Sequence, residues 1–449
     1  MSRDALGAIL LLVAVAGCDP GRPFDEPLAR MNEVPPVPAT PPQAPPAPGA
    51  VVPENCPGRA PLATMLGPVT DGPLRLEAVK CSAAGHSAGA EANLVSPDGA
   101  AIAMLDNGPD MAVTIQPVAG GEGVRIPAPS SSLQLVSTRG PAHLAWSRDS
   151  AFLWGATQPR VRPNGWALGA LRPVRFFPDG RAEPLPALVH RAGPLDGLLW
   201  VGSDGLALAA FGTRGQYYRP DHEDRAPALA FVDARNGRIL DTLPIARLRP
   251  ASAGAFAGPS HWIRRAVAVV LPDGRLRAVL ATSDWQLWTQ GEQPRRVRNP
   301  YPDDRSYDMA LAPGGNHVLV ARALRTEGTI CYEHDPRGCV PGRPVEGVLV
   351  AFHDARTGAA RWTIRARVIR DHGYPTPAIS PDGRFALIGL PDGEDLRVAL
   401  VSMRDGAIVQ QLPVLGRGSP TPMFGFQSAR RFWLRIDNVT AFYRFGGAR

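Results

Sequence analysis

One short hairpin signal recurs along most of this 449-residue chain. Its clearest copy, PAISPDGRFALIG from Pro377, reads as an apolar strand, a tight turn and a second apolar strand. Further copies begin at Leu94, Leu144, Leu199, Ala255, Met309 and Phe424. Serine, proline, aspartate and glycine in this order suit a type I turn that is followed by a left-handed residue. The motif therefore predicts structural turns and requires no chemistry from Asp98, Asp149 or Asp382.

A second hairpin with an Asp-rich and Gly-containing turn follows the first at three places, Ala228, Val348 and Val398. Two hairpins make a unit of four strands, and the units recur about every 50 residues. A fixed period of four-stranded units predicts an all-β fold, a seven-bladed β-propeller with four-stranded antiparallel blades. The last copy leaves room for few strands. We expect the segment PLRLEAVKCS, near the start of the repeats, to complete that blade and close the ring.

These hairpins resemble the SPDG-type propellers of the TolB-like and WD-repeat-like class, from about Pro61 to Phe445. The Asp-Ala-Arg-Thr-Gly hairpin at 354–358 is similar to those of quinoprotein-like and surface-layer-type propellers. The resemblance implies the fold. It leaves the function to be argued from a site, because one fold serves many functions.

The chain starts with an apolar run, Leu6 to Val15, that is too short to span a bilayer and is typical of a signal peptide. The run ends in Val-Ala-Gly-Cys, which resembles a bacterial lipobox. The resemblance implies that residues 1–17 are removed and that Cys18 becomes the lipidated first residue. Asp19 resembles the inner-membrane retention signal of enterobacterial lipoproteins, a rule that other lineages need not follow. The alternative is a chance Ala-Gly-Cys behind an ordinary signal peptide.

Dense proline from Val34 to Pro53 favours an extended polyproline helix over a packed element. We therefore predict a signal peptide at 1–17, a lipidated and Pro-rich tether at 18–54 and the propeller at 55–449. A Pro-rich ligand for a partner domain is the alternative reading of the tether. The predicted location is a lipid anchor on the extracytoplasmic or periplasmic side of a membrane, with the inner or outer membrane left open.

Four cysteines remain beyond the lipobox, Cys56, Cys81, Cys331 and Cys339. An even number in an exported chain predicts two disulfides. Cys331 and Cys339 bracket the single loop CYEHDPRGC and are expected to pair, which leaves Cys56 for Cys81. The alternative is a metal site in that loop, with three further ligands, Glu333, His334 and Asp335.

The net charge of +7 comes from arginines that are dispersed along the chain. No nucleic-acid-binding motif accompanies them, so we predict no nucleic-acid partner. The expected partners are the membrane, through the N-terminal lipid, and proteins of the cell envelope. The oligomeric state is left open.

The sequence contains only weak signals of catalysis or metal binding. Ser87 lies in a G-x-S-x-G match, but no long helix follows it as a nucleophile elbow requires, and no catalytic residue is predicted. Two acidic loops could hold calcium but lack the spacing of a calcium loop; their residues are Asp221, His222, Glu223, Asp224, Asp303, Asp304 and Asp308. Solvated loop charge is the preferred interpretation. We predict no metal and no cofactor, with calcium kept as an alternative.

Polar residues interrupt the apolar segments that enter several first strands, namely His143, Asp196, Tyr307, Asp308 and Thr376. Innermost strands line the channel of a propeller, so these side chains are candidates for a binding site at its mouth. The alternative is that they cap turns or form hydrogen bonds between blades.

The sequence thus predicts a lipid-anchored extracytoplasmic propeller that acts as a protein- or ligand-binding and assembly module of the bacterial envelope. The alternative is a propeller enzyme, such as a hydrolase, lactonase or quinoprotein-like protein, with its site at the channel mouth.

Overall fold

The computed structural model describes residues 66, 74–83, 93–106, 112–127, 133–135, 144–159, 172–190, 193–211, 228–244, 265–302, 307–325, 328–331, 339–342, 345–367, 376–392, 395–415, 422–436 and 439–446. All of them belong to one unit, Pro48–Arg449. The predicted signal peptide, the Pro-rich tether and Cys18 lie outside these residues, and so does Ser87.

The described residues form 32 strands. The first half of the chain contributes β1 (Arg75–Ala83), β2 (Asn93–Val95), β3 (Ala101–Asp106), β4 (Ala112–Pro117), β5 (Val124–Pro127), β6 (Leu133–Leu135), β7 (Ala145–Trp146), β8 (Leu153–Pro159), β9 (Arg172–Phe176), β10 (Ala182–Pro184), β11 (Val189–His190), β12 (Gly193–Val201), β13 (Leu206–Phe211), β14 (Ala228–Asp233) and β15 (Arg238–Pro244). The second half contributes β16 (Arg265–Val270), β17 (Leu276–Ala281), β18 (Trp285–Thr289), β19 (Arg295–Val297), β20 (Tyr307–Leu311), β21 (His317–Arg325), β22 (Gly328–Cys331), β23 (Cys339–Gly342), β24 (Val345–Asp354), β25 (Ala360–Arg367), β26 (Ala378–Ile379), β27 (Phe385–Asp392), β28 (Asp395–Ser402), β29 (Ile408–Val414), β30 (Met423–Ser428), β31 (Arg431–Ile436) and β32 (Val439–Gly446).

The strands form seven antiparallel blades, which confirms the predicted all-β, seven-bladed propeller. Blade 1 is β2–β5, blade 2 is β7–β10 with β6, blade 3 is β12–β15 with β11, and blade 4 is β16–β19. Blade 5 is β20, β21, β24 and β25, blade 6 is β26–β29, and blade 7 is β30, β31, β32 and β1. No helix occurs in the part of the chain that the structure describes, and so none there could cross a membrane.

Blade 7 is assembled from both ends of the repeat region. Strand β1 pairs antiparallel with β32, with Leu76 opposite Phe445 and Ala83 opposite Val439. The segment predicted to complete the last blade is therefore its outermost strand. This pairing covers the free edge of β32 and closes the ring.

The first strand of each blade lies innermost. From blade 3 to blade 7, the first strand of each blade contacts the first strand of the next: β12 contacts β16, β16 contacts β20, β20 contacts β26, and β26 contacts β30. Middle strands are covered by neighbouring blades on both faces, and β13 and β14 are accordingly buried along their whole length. Between blades 3 and 4, Phe231 stacks on Trp288 at a centroid distance of 4.0 Å. Burial on both faces explains why these strands are continuously apolar instead of alternating.

The recurrent motif forms the tight turn between the first and second strands. In blade 6, Ser380 Oγ donates to Asp382 Oδ1 at 2.6 Å and accepts from the Phe385 amide at 2.9 Å. Gly383 has a φ of 70°, and Ser150 takes the corresponding left-handed conformation in blade 2. Hydrogen bonding to Ser147 and to the Ala151 amide lowers the pKa of Asp149. These aspartates hold turns together, as the motif predicts.

Because the strands of a blade alternate in direction, its two tight turns lie on one side of the ring. We call this side the turn face; it carries the turns between strands one and two and between strands three and four. The opposite side, where each first strand begins, is the entry face.

The predicted position of the first hairpin of blade 4 is wrong. The copy assigned from Ala255 places a turn before the run RAVAVV, whereas this run is the first strand, β16. The turn is Leu271 to Gly274, where the Gly274 amide donates to the Leu271 carbonyl at 2.9 Å. An apolar run reads the same before or after a turn, so the sequence does not show whether RAVAVV is the first or the second strand of the hairpin.

Candidate functional site at the inner rim

Asp308 joins three blades at the inner rim of the entry face. It is the second residue of β20 in blade 5. Its Oδ1 accepts a hydrogen bond from Arg265 Nε of blade 4 at 3.3 Å. Its Oδ2 accepts one from Thr376 Oγ1, just before β26 of blade 6, at 3.4 Å. A side chain that reaches both neighbouring blades lies at the inner end of its own blade.

This inner-rim cluster, Arg265, Asp308 and Thr376, remains accessible to solvent. The side chains of Arg265 and Asp308 are 45% and 34% exposed. An exposed ion pair contributes about 0–1 kcal/mol to stability, so the fold does not depend on this one. A cation, an anion and a hydroxyl in one place can bind a polar partner group of either sign.

Tyr307 lies next to Asp308 but on the other side of the strand. Its ring is 1% exposed. Its hydroxyl accepts hydrogen bonds from Trp285 Nε1 at 3.2 Å and from Asn299 Nδ2 at 3.3 Å. Alternate residues of a strand face opposite ways, which separates the Tyr307 side chain from the inner-rim cluster. The Tyr307 carbonyl, in contrast, accepts a hydrogen bond from Arg265 Nε at 3.2 Å. The Tyr307 hydroxyl therefore forms hydrogen bonds that join blade 5 to blade 4.

A second buried pair continues this network. His353 Nδ1 lies 2.9 Å from the Gly358 carbonyl, and Nε2 lies 2.8 Å from the Tyr301 hydroxyl. A carbonyl only accepts, so Nδ1 carries the proton and Nε2 accepts from Tyr301. Burial lowers the pKa of His353, which keeps the ring neutral. Sequence analysis missed this network because His353 and its partner Tyr301 lie 52 residues apart, and no local pattern relates them.

The structure brings together two of the five predicted channel-mouth residues, Asp308 and Thr376. His143 lies outside the described residues. The backbone of Asp196 is in β12, where a register shift between Leu195 and Gly197 makes it the extra residue of a bulge. Arg265, which sequence analysis did not select, is the third member of the cluster and lies in the blade whose hairpin was misplaced.

The backbone register places three of the four cysteines that are predicted to form disulfides. Cys331 and Cys339 are direct partners in the register of the hairpin β22–β23, which is a separate two-stranded sheet inserted in blade 5. Cys81 pairs with Ala441 in the closing strand pair. Cys56 lies outside the described residues.

No group of three or more His, Cys, Asp or Glu side chains suited to a metal occurs within the described ranges. The acidic-loop residues other than Asp308 lie outside them, and they are Asp221, His222, Glu223, Asp224, Asp303 and Asp304. The calcium alternative therefore stays a prediction.

No protein-family model matches the chain, and no curated protein matches its sequence. Solved propeller structures are similar to it. "Structure of U3-55K" has 11% identity and a TM-score of 0.47 over 82% of this chain and 98% of that one. "Crystal structure of RRP9 WD40 repeats" has 12% identity and a TM-score of 0.46 over 84% and 100%. The beta-propeller domain of Myceliophteria thermophila Cps50 (Swd1) has 12% identity and a TM-score of 0.39 over 80% and 98%. The blade count rests on the sheets themselves.

Proposed function

We propose that this propeller is a lipid-anchored binding and assembly module on the extracytoplasmic side of a bacterial membrane. The single observation that carries the binding role is the inner-rim cluster, in which Asp308 joins three blades and stays accessible. A closed ring holds such a cluster rigidly, and rigid presentation lowers the entropic cost of binding a partner.

The anchor rests on the lipobox at Cys18 and on the Pro-rich segment behind it. A lipidated Cys18 would attach the chain to the membrane, and an extended tether would allow the propeller to reach envelope proteins at some distance. Envelope proteins are therefore the partners we propose.

Affinity capture of the acylated protein from its own solubilised membranes tests the binding role. Asp308→Ala should lose captured envelope proteins and keep its melting temperature within about 1 °C, because an exposed ion pair stabilises little. Asp392→Ala is the matched control. Asp392 forms an exposed ion pair with Arg397 on the same face, at the outer connection of strands two and three in blade 6.

Equal capture by Asp308→Ala and the wild type would overturn the inner rim as the binding site and direct attention to the outer surfaces of the blades. A quinone or calcium ion that co-purifies in stoichiometric amount, without captured envelope proteins, would favour the propeller-enzyme alternative.

A further inference from the structure

A cleft of about 440 Å³ opens on the turn face between blades 5 and 6. The turn Ala312 to His317 and the outer strands of blade 5 form one wall. The turns of blade 6 at Asp382 to Phe385 and at Ser402 to Arg404 form the other. This volume lies in the range of about 300–1,000 Å³ that is typical of small-molecule sites. The cleft is on the side of the ring opposite to the inner-rim cluster.

The floor of the cleft is aromatic and fixed in place. His317 stacks on Phe352 at 4.9 Å, and Phe352 stacks on Trp362 at 5.4 Å. The buried Trp362 donates its indole N–H to the carbonyl of Met403, across the blade boundary, at 3.1 Å. Trp362 lies beneath the lining residue Phe352, so its bond to blade 6 fixes the floor between the two blades and preorganises it for a ligand.

Three exposed arginines surround this floor, Arg361, Arg384 and Arg404. Arg361 Nη1 lies 3.1 Å from His317 Nε2. A guanidinium can only donate, so the imidazole nitrogen accepts and the ring is neutral. Burial and then the charge of Arg361 lower the pKa of His317, consistent with this assignment. Arg361 is thus held by a neutral group and keeps its full charge available.

Arg384 can be compared with the arginines at the same motif position in two other turns, because Pro-Asp-Gly-Arg occurs in three described turns. Arg181 forms an ion pair with Asp179 at 3.8 Å, and Arg275 forms one with Asp273 at 2.8 Å. In the third turn Ser380 bonds to Asp382, and Arg384 lies over the Phe385 ring at 5.8 Å. No carboxylate among the described residues forms an ion pair with Arg384, Arg361 or Arg404.

The surroundings add further positive charge. Arg277 Nη1 donates to Asn316 Oδ1 at the edge of the cleft, at 2.9 Å. Burial, and then the nearby charge of Arg356, lower the pKa of Arg277. Asp382, the acidic residue of the lining, uses Oδ1 for the Ser380 hydroxyl and the Arg384 amide. The cleft combines unpaired guanidinium groups with an apolar floor.

We propose that the cleft between blades 5 and 6 binds a small organic anion, with a phosphate or carboxylate group on the guanidinium groups of Arg361 and Arg384 and an apolar body against the aromatic floor. Guanidinium groups bind both oxyanions through paired N–H donors. The inner-rim cluster takes no part in this site.

Calorimetric titration of the full chain with phenyl phosphate tests the proposal. Inorganic phosphate serves as the anionic group alone, and phenol serves as the apolar body alone. We expect saturable one-to-one binding of phenyl phosphate, weaker binding of inorganic phosphate and no binding of phenol. Arg361→Ala and Arg384→Ala should each weaken phenyl phosphate binding about tenfold, since each removes charge-assisted hydrogen bonds. Sodium benzoate should bind at the same site and compete.

Arg275→Ala is the matched control, because Arg275 lies in the equivalent turn of blade 4, between strands one and two. Arg181→Ala is a second control, which removes the same charge from the turn between strands three and four of blade 2. Asp308→Ala should bind phenyl phosphate as the wild type does, which separates this site from the proposed binding module. The proposal is overturned if phenyl phosphate does not saturate, if phenol binds equally well, or if the control arginines matter as much as Arg384.

Discussion

Glycines in the tight turns differ in what a side chain would meet, and this difference sets the cost of replacing them. Gly383 and Gly358 have similar φ values of 70° and 73°. A Cβ at Gly383 would lie 3.6 Å from Pro313 Cδ, an ordinary contact, whereas one at Gly358 would lie 2.6 Å from the Arg298 carbonyl oxygen. The first site therefore imposes backbone strain alone, and the second adds a clash with the main chain.

Gly383→Ala should lower the free energy of unfolding by about 1 kcal/mol, the usual cost of the left-handed conformation. Gly358→Ala should cost about 3 kcal/mol or more, because the backbone must move as well. Urea unfolding of both variants measures the difference. Equal losses would show that the Arg298 carbonyl yields to the new Cβ at little cost.

The neutral His353 predicts a loss of stability in acid. Its pKa is lowered in the folded state by burial, while the unfolded chain takes up a proton near the ordinary value of about 6.5. The unfolded state thus binds more protons below that pH, so stability falls as pH falls through 6.5. The slope from this residue cannot exceed about 1.4 kcal/mol per pH unit.

Melting temperatures of wild type and His353→Gln between pH 7.5 and 5.5 test this effect. The variant should be less stable at pH 7.5, because glutamine does not reproduce both hydrogen bonds, and its stability should depend less on pH. His317→Gln serves as the comparison, since His317 also has a lowered pKa but is less buried. Parallel pH profiles for wild type and His353→Gln would contradict the assignment.

At the scale of elements, the inserted hairpin β22–β23 bears on the cysteine pairing. Opposite residues of an antiparallel pair have Cα atoms about 4.5–5.5 Å apart, and a disulfide needs about 4.4–6.8 Å. The register of Cys331 with Cys339 is compatible with the pairing predicted from their spacing.

Non-reducing peptide mapping should therefore find Cys331 joined to Cys339 and Cys56 joined to Cys81. Replacing both Cys331 and Cys339 by serine should change the melting temperature little, because β22 and β23 lie outside the blade 5 sheet. Free thiols, or zinc in stoichiometric amount, would exclude the disulfides.

Local turn chemistry explains why so much of the fold could be predicted. A Ser-Pro-Asp-Gly turn contains its own hydrogen bonds, as Ser380 and Asp382 show, and therefore identifies a hairpin without reference to the rest of the chain. The same principle failed in blade 4, where the Leu-Pro-Asp-Gly turn at Leu271 lacks the serine and was overlooked.

Sites shared between blades were harder to predict, because their residues are distant in the sequence. Asp308 was selected as a polar interruption, but its partner Arg265 depends on the adjacency of β16 and β20. The arginines of the cleft come from one strand of blade 5 and two turns of blade 6, and in the sequence only the three Pro-Asp-Gly-Arg turns suggest a comparison. Whether Arg384 pairs with its own aspartate is decided by tertiary structure.

At the scale of the whole molecule, ring closure joins the most distant described strands. Arg75 pairs with Gly446, and Leu76 and Ala78 pack on the cluster that contains Tyr443 and Phe445. Without β1, the outer edge of β32 would be open to pairing with another chain, as exposed edge strands are.

Deletion of residues 75–83, made together with Cys56→Ser so that the loss of Cys81 leaves no unpaired thiol, should therefore lower the melting temperature and cause association. Lost apolar burial of roughly 3 kcal/mol corresponds to a drop of about 4 °C for a domain of this size, at an unfolding entropy of about 2.1 cal/mol/K per residue. Differential scanning calorimetry and size-exclusion chromatography measure the two effects. The control is a deletion of equal length, residues 38–46, in the Pro-rich segment, which should leave both unchanged if that segment is a tether. A monomeric protein with an unaltered melting temperature after the loss of β1 would mean that blade 7 holds together with three strands, and that the closing pair serves the N-terminal attachment more than the stability of the ring.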